Sequence, residues 1–200
     1  RFAAEPATPA PQKLLEDKAS HIIPRDRDIK EIYDSYDFKL NIPEHVYNQG
    51  ELHNLMIQRG TLTDEERFKI NEHIMQTIVM LEKIPLPKHL RRVPEYAGTH
   101  HETMIGTGYP RELKADDLSI PSRIMAIADI FEALTASDRP YKQAKTLSEC
   151  VKILSFFKKD QHIDPVLFDL FLTSGVYLKY AKKFLKPEQI DDVDITPYLG

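Results

Sequence analysis

The sequence predicts an all-α protein, a helical bundle, on three observations. Thr63 is followed three residues later by Glu66, and Thr146 by Glu149. Each pair is a capping box just ahead of an apolar run, which signals a helix start. Apolar residues recur at helical spacing, as in Ile70, Ile74, Ile78 and Leu81. No stretch alternates apolar and polar residues for long enough to claim a sheet. A chain of 200 residues suffices for one domain with a real core, or a domain with a tail.

Residues 1–12 hold Pro6, Pro9 and Pro11 among small alanines and read as a disordered linker. In residues 13–40, Ile22, Ile23, Ile29, Ile32, Tyr33, Tyr36, Phe38 and Leu40 suggest burial without one dominant period, and residues 26–36 form a candidate short helix. Pro43 opens another through Val46 and Tyr47, interrupted by Gly50. Residues 51–58 are a further helix with Leu52, Leu55 and Met56 facing inward, ended by Gly60.

The helix that starts at Thr63 runs to about Lys83, and Pro85 and Pro87 then break the chain. Residues 88–97 make a weaker helix with His89 at the surface, closed by Gly98, and residues 111–118 form a polar loop. Residues 119–136 carry Pro121 in the first helical turn. Ile124, Met125, Ile127, Ile130, Phe131 and Leu134 run almost all round that helix, which is the pattern of a buried one. Thr146 opens a helix with Leu147, Val151, Leu154 and Phe157 on one face. Asp164-Pro165 opens the next in cap-then-proline order, and Gly175 ends it. A last helix spans residues 176–185, before an acidic tail. His162 reads as structural.

Charge and composition exclude some functions. With 27 basic against 31 acidic side chains the net charge is -4, so a nucleic-acid polymer is not the expected partner. No apolar run approaches the roughly 20 residues that cross a bilayer. Cys150 is the only cysteine, so no internal disulfide forms and a reducing, cytoplasmic compartment is the simpler reading. The chain opens on Arg1 rather than Met, so the expectation is that upstream residues have been removed.

The chemistry-bearing residues centre on His100-His101-Glu102, followed by Gly106-Thr107-Gly108-Tyr109-Pro110. Adjacent side chains point apart in regular structure, so two vicinal histidines act together only where the backbone bends. The two glycines and the proline make a bend cheap. The alternative is a solvated polar turn. His73 borders the apolar stripe of its helix, as a metal ligand or as a hydrogen-bonded core histidine. Asp129 interrupts an apolar run and needs a cation or strong donors, supplied by a metal or by a basic side chain. Imidazoles with a carboxylate suit iron, manganese or zinc. Two metals about 3.5–4 Å apart activate a bridging hydroxide and hold a phosphodiester for in-line attack. His73, His100, His101 and Asp129 supply about half of such a centre. Arg139 and Lys142 lie at a spacing that lets both hold phosphate oxygens, the alternative being an ordinary solvated pair. Tyr109 is placed to stack on a base or to close the turn.

The order of Asn71-Glu72-His73, His100-His101-Glu102, Gly106-Thr107-Gly108-Tyr109-Pro110, Ala128-Asp129 and Asp138-Arg139-Pro140-Tyr141 resembles the HD-GYP family, a branch of the HD-type metal-dependent phosphohydrolases. The resemblance is specific from about Gly60 to Tyr141 and looser to the end. It implies an all-α helical bundle of the HD-domain phosphohydrolase type, incomplete in this chain. Residues 13–60 would be an N-terminal helical or irregular segment and 61–200 the C-terminal part of the domain. It implies hydrolysis of cyclic di-GMP with two divalent transition metals in the intact site, iron or manganese ahead of zinc. By the same resemblance His73, His100, His101 and Asp129 are metal ligands. Arg139 and Lys142 contact substrate phosphate, and Tyr109 belongs to the turn that shapes the substrate pocket. The implied partners are cyclic di-GMP, a signalling protein such as a diguanylate cyclase domain, and a second copy in a homodimer. The longer protein would be cytoplasmic or attached to a membrane-bound sensory region.

Two departures stand out. The family's His-Asp pair, normally followed by Gly-Lys, is absent, and no His-Asp dipeptide occurs in the chain. Ile105 stands before Gly106 where the family carries Asp, which removes a local hydrogen-bond acceptor. The expectation is therefore a phosphodiesterase domain that is weak or inactive as this chain, with the His-Asp pair upstream. The alternative is a degenerate module that binds cyclic di-GMP or a signalling partner without hydrolysis.

Overall fold

A computed structural model describes residues 13, 15–58, 60–136 and 145–200. The linker expected at residues 1–12 lies outside them. The described residues fall into two compact units: the chain up to Ile32 with Asn41–Ile70, and Tyr33–Leu40 with Asn71–Gly200. The architecture is all-α apart from one small sheet. No helix among the described residues is long and apolar enough to cross a membrane.

In the first unit, strands β1 (Ile22–Pro24) and β2 (His45–Asn48) pair antiparallel, with Ile22 opposite Asn48 and Ile23 opposite Tyr47. This corrects two expectations, since residues 43–47 are not a helix and a sheet exists. Both strands are too short to show alternation, and β-branched and aromatic residues on a half-buried ladder decide the conformation. The Arg25 guanidinium secures the pair by donating to the carbonyls of Pro43 at 3.0 Å and His45 at 3.2 Å. Helix α1 (Arg27–Asp34) forms where residues 26–36 predicted one. Helix α2 (Glu51–Leu55) is only five residues long. Its Leu55 and Met56 are 68% and 70% exposed, against the inward face expected. Polar bonds hold this helix instead, with Asn54 donating to the carbonyls of Asn48 and Gly50 and His53 meeting Glu65 at 3.3 Å. Gly60 does not end α2; it takes a left-handed φ of 73° in the turn before the next helix.

Helix α3 (Asp64–Glu82) starts at the predicted box. The Thr63 hydroxyl accepts the Glu66 N–H at 3.2 Å, and the Glu66 carboxylate accepts the Thr63 N–H at 2.9 Å. Ile74 and Ile78 are buried as expected, but Ile70 is 56% exposed. Phe68, Glu72 and Met75 are buried beside them, which leaves Ile70 at the edge of the buried face. Glu72 can be buried there because the Tyr33 hydroxyl donates to it at 3.2 Å.

In the second unit, helix α4 (Val93–Gly98) follows a 3-10 turn at Lys88–Leu90, with His89 exposed as expected. Helix α5 (Ile120–Thr135) packs on α4, on α6 (Leu147–Lys159) and on α7 (Pro165–Thr173), and α8 (Val176–Phe184) closes on α7. Asp164 caps α7 by accepting the Val166 and Leu167 amides, and the left-handed Gly175 separates α7 from α8. The core gathers Ile127, Phe131, Leu154, Ile163, Phe168 and Leu172. Each such side chain contributes roughly 1.5–3 kcal/mol on burial.

Helix α5 is not buried all round. Ile124 is 49% exposed and faces an open apolar groove of about 370 Å³ with Leu167, Leu170 and Val176. Further along α5, the Phe131 ring meets the Phe171 ring of α7 with centroids 5.1 Å apart. Arg123 on α5 ties the preceding loop to the α7 cap. It donates to the carbonyls of Ala115 at 2.5 Å and Leu118 at 2.9 Å, and to the Asp164 carboxylate at 2.9 Å.

Candidate metal centre

His73 comes from α3, and His100 and His101 come from the turn that leaves α4. One ring nitrogen from each lies within 4.8 Å of the other two. The bend that a vicinal pair requires is present, because the Glu102 N–H closes a turn onto the Thr99 carbonyl at 3.0 Å. The Nε2 atoms of His73 and His101 are 3.2 Å apart. At that distance two unprotonated nitrogens repel, and a shared proton or cation relieves the repulsion. Nδ1 of His100 lies 2.8 Å from the Ala97 carbonyl. A proton on that nitrogen leaves Nε2 free as a ligand, the usual arrangement around a bound metal.

His101 is held neutral. Burial first, then the neighbouring His100, lowers its pKa to about 4, against the opposing pull of Asp129. A neutral imidazole is the form that ligates a metal. Asp129, half-buried on α5, raises the pKa of both His101 and Tyr109, with burial the larger cause for Tyr109. The cluster at 4.8 Å spacing consists of the three histidines, with Asp129 outside it. The Tyr109 ring lies on His101 with centroids 4.8 Å apart and planes 19° from parallel. Arg139 and Lys142 lie outside the described residues.

The turn that carries Tyr109, with Ile105 before its first glycine, is held by side-chain acceptors. The Thr103 hydroxyl accepts the Thr107 N–H at 2.8 Å. The Glu102 carboxylate accepts the amides of Arg111 at 2.7 Å and Leu113 at 3.0 Å. Burial raises the Glu102 pKa, while those two amides pull the other way. Gly108 has to be glycine, since a Cβ there would lie 2.5 Å from the His101 carbonyl oxygen and 2.6 Å from the Thr103 nitrogen. Sequence reasoning noticed Glu102 only as part of its motif, and passed over Arg123. The available signal was a charge at the edge of a run expected to be buried, since Arg123 directly precedes Ile124.

An HD domain family model matches residues 9–167, most of the chain. The chain belongs to the HD domain family and is an HD-GYP-type member of it. It is 30% identical over 163 residues to a probable cyclic di-GMP phosphodiesterase of Vibrio cholerae, covering 78% of this chain and 36% of the relative. It is 34% identical to a 3'3'-cGAMP-specific phosphodiesterase of the same organism, over 65% of this chain and 30% of the relative. A cyclic di-GMP phosphodiesterase of Pseudomonas aeruginosa is 30% identical over 70% of this chain and 30% of its own length. The chain thus spans about a third of the length of these curated relatives. HD phosphohydrolase domains are metal-dependent, and the three-histidine cluster fits that requirement.

Proposed function

We propose that this domain serves a phosphodiesterase that hydrolyses cyclic di-GMP, with His73, His100, His101 and Asp129 as ligands of a divalent transition metal. The observation that carries this reading is the convergence of three imidazole nitrogens from α3 and the α4 turn within 4.8 Å. The donor set favours iron or manganese, with zinc next. When bound, the metal would supply Lewis acidity and an activated water for attack on a phosphodiester. The protein's own contributions are separable. His101 offers a neutral imidazole, Ala97 directs His100, and Asp129 brings negative charge toward His101 and the Tyr109 hydroxyl. Arg139 and Lys142 are assigned to substrate phosphate, and Tyr109 to the pocket wall.

This reading keeps residues 61–200 as the C-terminal part of the domain and gives it a cytoplasmic location. The full centre holds two metals, of which these residues supply about half, so the 200-residue chain is expected to turn over weakly or not at all. The missing His-Asp dipeptide favours a second reading. In it the module binds cyclic di-GMP, or a signalling protein such as a diguanylate cyclase domain, without hydrolysis, alone or as a homodimer.

Metal content after anaerobic loading with Fe(II) or Mn(II), with chromatography of cyclic di-GMP digests, tests both. Bound metal that is lost in His73→Ala and His101→Ala supports the centre. Folded variants that retain their metal would sink it. Linear dinucleotide or GMP as product selects the enzyme, and binding without product selects the sensor.

A further inference from the structure

We propose that Glu102 is a positioning residue of the metal centre: its carboxylate fixes the Gly-Tyr-Pro turn so that Tyr109 lies flat on His101 and sets the direction of that imidazole. The proposal rests on the reading that the three histidines hold a metal. Glu102 is only 2% exposed and follows His101 directly in the chain. Its two oxygens are taken by the Arg111 amide at 2.7 Å and the Leu113 amide at 3.0 Å, so neither faces the histidines as a ligand. Those amides belong to the residues just past Tyr109-Pro110. The near side of the turn is tied down separately. Thr107 N–H donates to the Thr103 hydroxyl at 2.8 Å, Tyr109 N–H donates to the His101 carbonyl at 3.2 Å, and Gly108 sits too close to His101 and Thr103 to admit a Cβ.

Pinned at both ends, the turn has little freedom, and the Tyr109 ring is held 4.8 Å from the His101 ring. The two neighbouring histidines therefore take their orientation from different sources. His100 is directed by the Ala97 carbonyl at 2.8 Å, whereas His101, whose Nε2 lies 3.2 Å from that of His73, has the Tyr109 face against its ring. Groups that orient a ligating histidine typically change metal affinity about 10–100-fold when removed.

The test uses the whole chain in two states. In the metal-free protein, the His101 ring protons should show an upfield NMR shift from the stacked Tyr109, identified by its loss in Tyr109→Ala. Glu102→Gln keeps the size and one acceptor oxygen, and should move that shift toward the Tyr109→Ala value. Titrated with Co²⁺, each variant should bind about tenfold or more weakly than the parent. The double variant should bind no more weakly than Tyr109→Ala alone, because both act through one contact. A folded Glu102→Gln with the His101 shift and Co²⁺ affinity intact overturns the proposal, as does a double variant whose losses multiply. Should Glu102→Gln fail to fold, Tyr109→Ala decides, and parental Co²⁺ affinity in it is the overturning result. A parent chain that binds no Co²⁺ sinks the metal reading instead, while the ring shift still reports whether Glu102 places Tyr109.

Discussion

The turn of residues 99–118 and the packed helices α6–α8 are ordered by different forces. In α6–α8, Leu154, Phe168 and Leu172 are sealed from solvent and the order comes from apolar area removed from water. In the turn, the order comes from a few buried polar side chains that satisfy backbone amides: Glu102 for Arg111 and Leu113, and Thr103 for Thr107. Arg123 does the complementary work for the carbonyls of Ala115 and Leu118. Apolar packing degrades in proportion to the volume removed, because dispersion and burial have no preferred direction. A clamp of directional bonds fails at a single atom, since the amide left behind is buried and unpaired. Metal affinity is therefore expected to be sensitive to changes in the turn, whereas lost core volume lowers stability and leaves the site's geometry in place.

The largest expected effect tests the core side of this contrast. Phe168→Ala should cost about 3–5 kcal/mol in urea denaturation. Below its unfolding transition it should leave Co²⁺ affinity near the parent's. A loss of affinity matching the loss of stability would erase the contrast. Gly108→Ala should cost less, about 1–3 kcal/mol from overpacking against His101 and Thr103. It should nonetheless weaken Co²⁺ binding more than Phe168→Ala does, because it displaces Tyr109 from His101. Retained affinity in a folded Gly108→Ala protein would show that the turn does not shape the site.

A third, smaller effect reads the seal of the core without changing it. Burial, the larger cause, pushes the Cys150 thiol up to about 11, so it stays protonated at neutral pH. Thiolate being the nucleophile, iodoacetamide at pH 8 should label the native protein roughly a hundredfold more slowly than the urea-unfolded chain. Comparable rates would mean that α6 opens readily.

The smallest effect is a pH dependence. Burial lowers the pKa of His162, whose ring rests 4.9 Å from Phe157. The unfolded imidazole takes its proton first as pH falls through about 6.5, so folding stability declines from there. The decline levels off once the folded imidazole also titrates. Urea midpoints at several pH values should show a shallower fall in His162→Phe, and an unchanged slope would assign the dependence to other groups.

Much of the site was legible because its signals are local. His73, His100 and His101 were marked by their motifs, and the structure brings their nitrogens together. What was not legible depended on partners far along the chain. Glu102 is a clamp only because Arg111 and Leu113 fold back onto it, and the stripe of Ile70, Ile74 and Ile78 does not itself say that Ile70 is exposed while the other two are covered.

The amino-acid order alone determined where α3, α6 and α7 begin. The Thr63, Thr146 and Asp164 caps close onto amides two or three residues away, so no tertiary partner is needed. It also determined family membership, through motifs in fixed order. The tertiary structure decided the β1–β2 pairing, the exposed face of α5 and the seating of Tyr109 on His101. The physical reason is reach: a cap completes its hydrogen bonds within one turn of chain, while a strand, a helix face or a stacked ring acquires its environment only when distant segments meet.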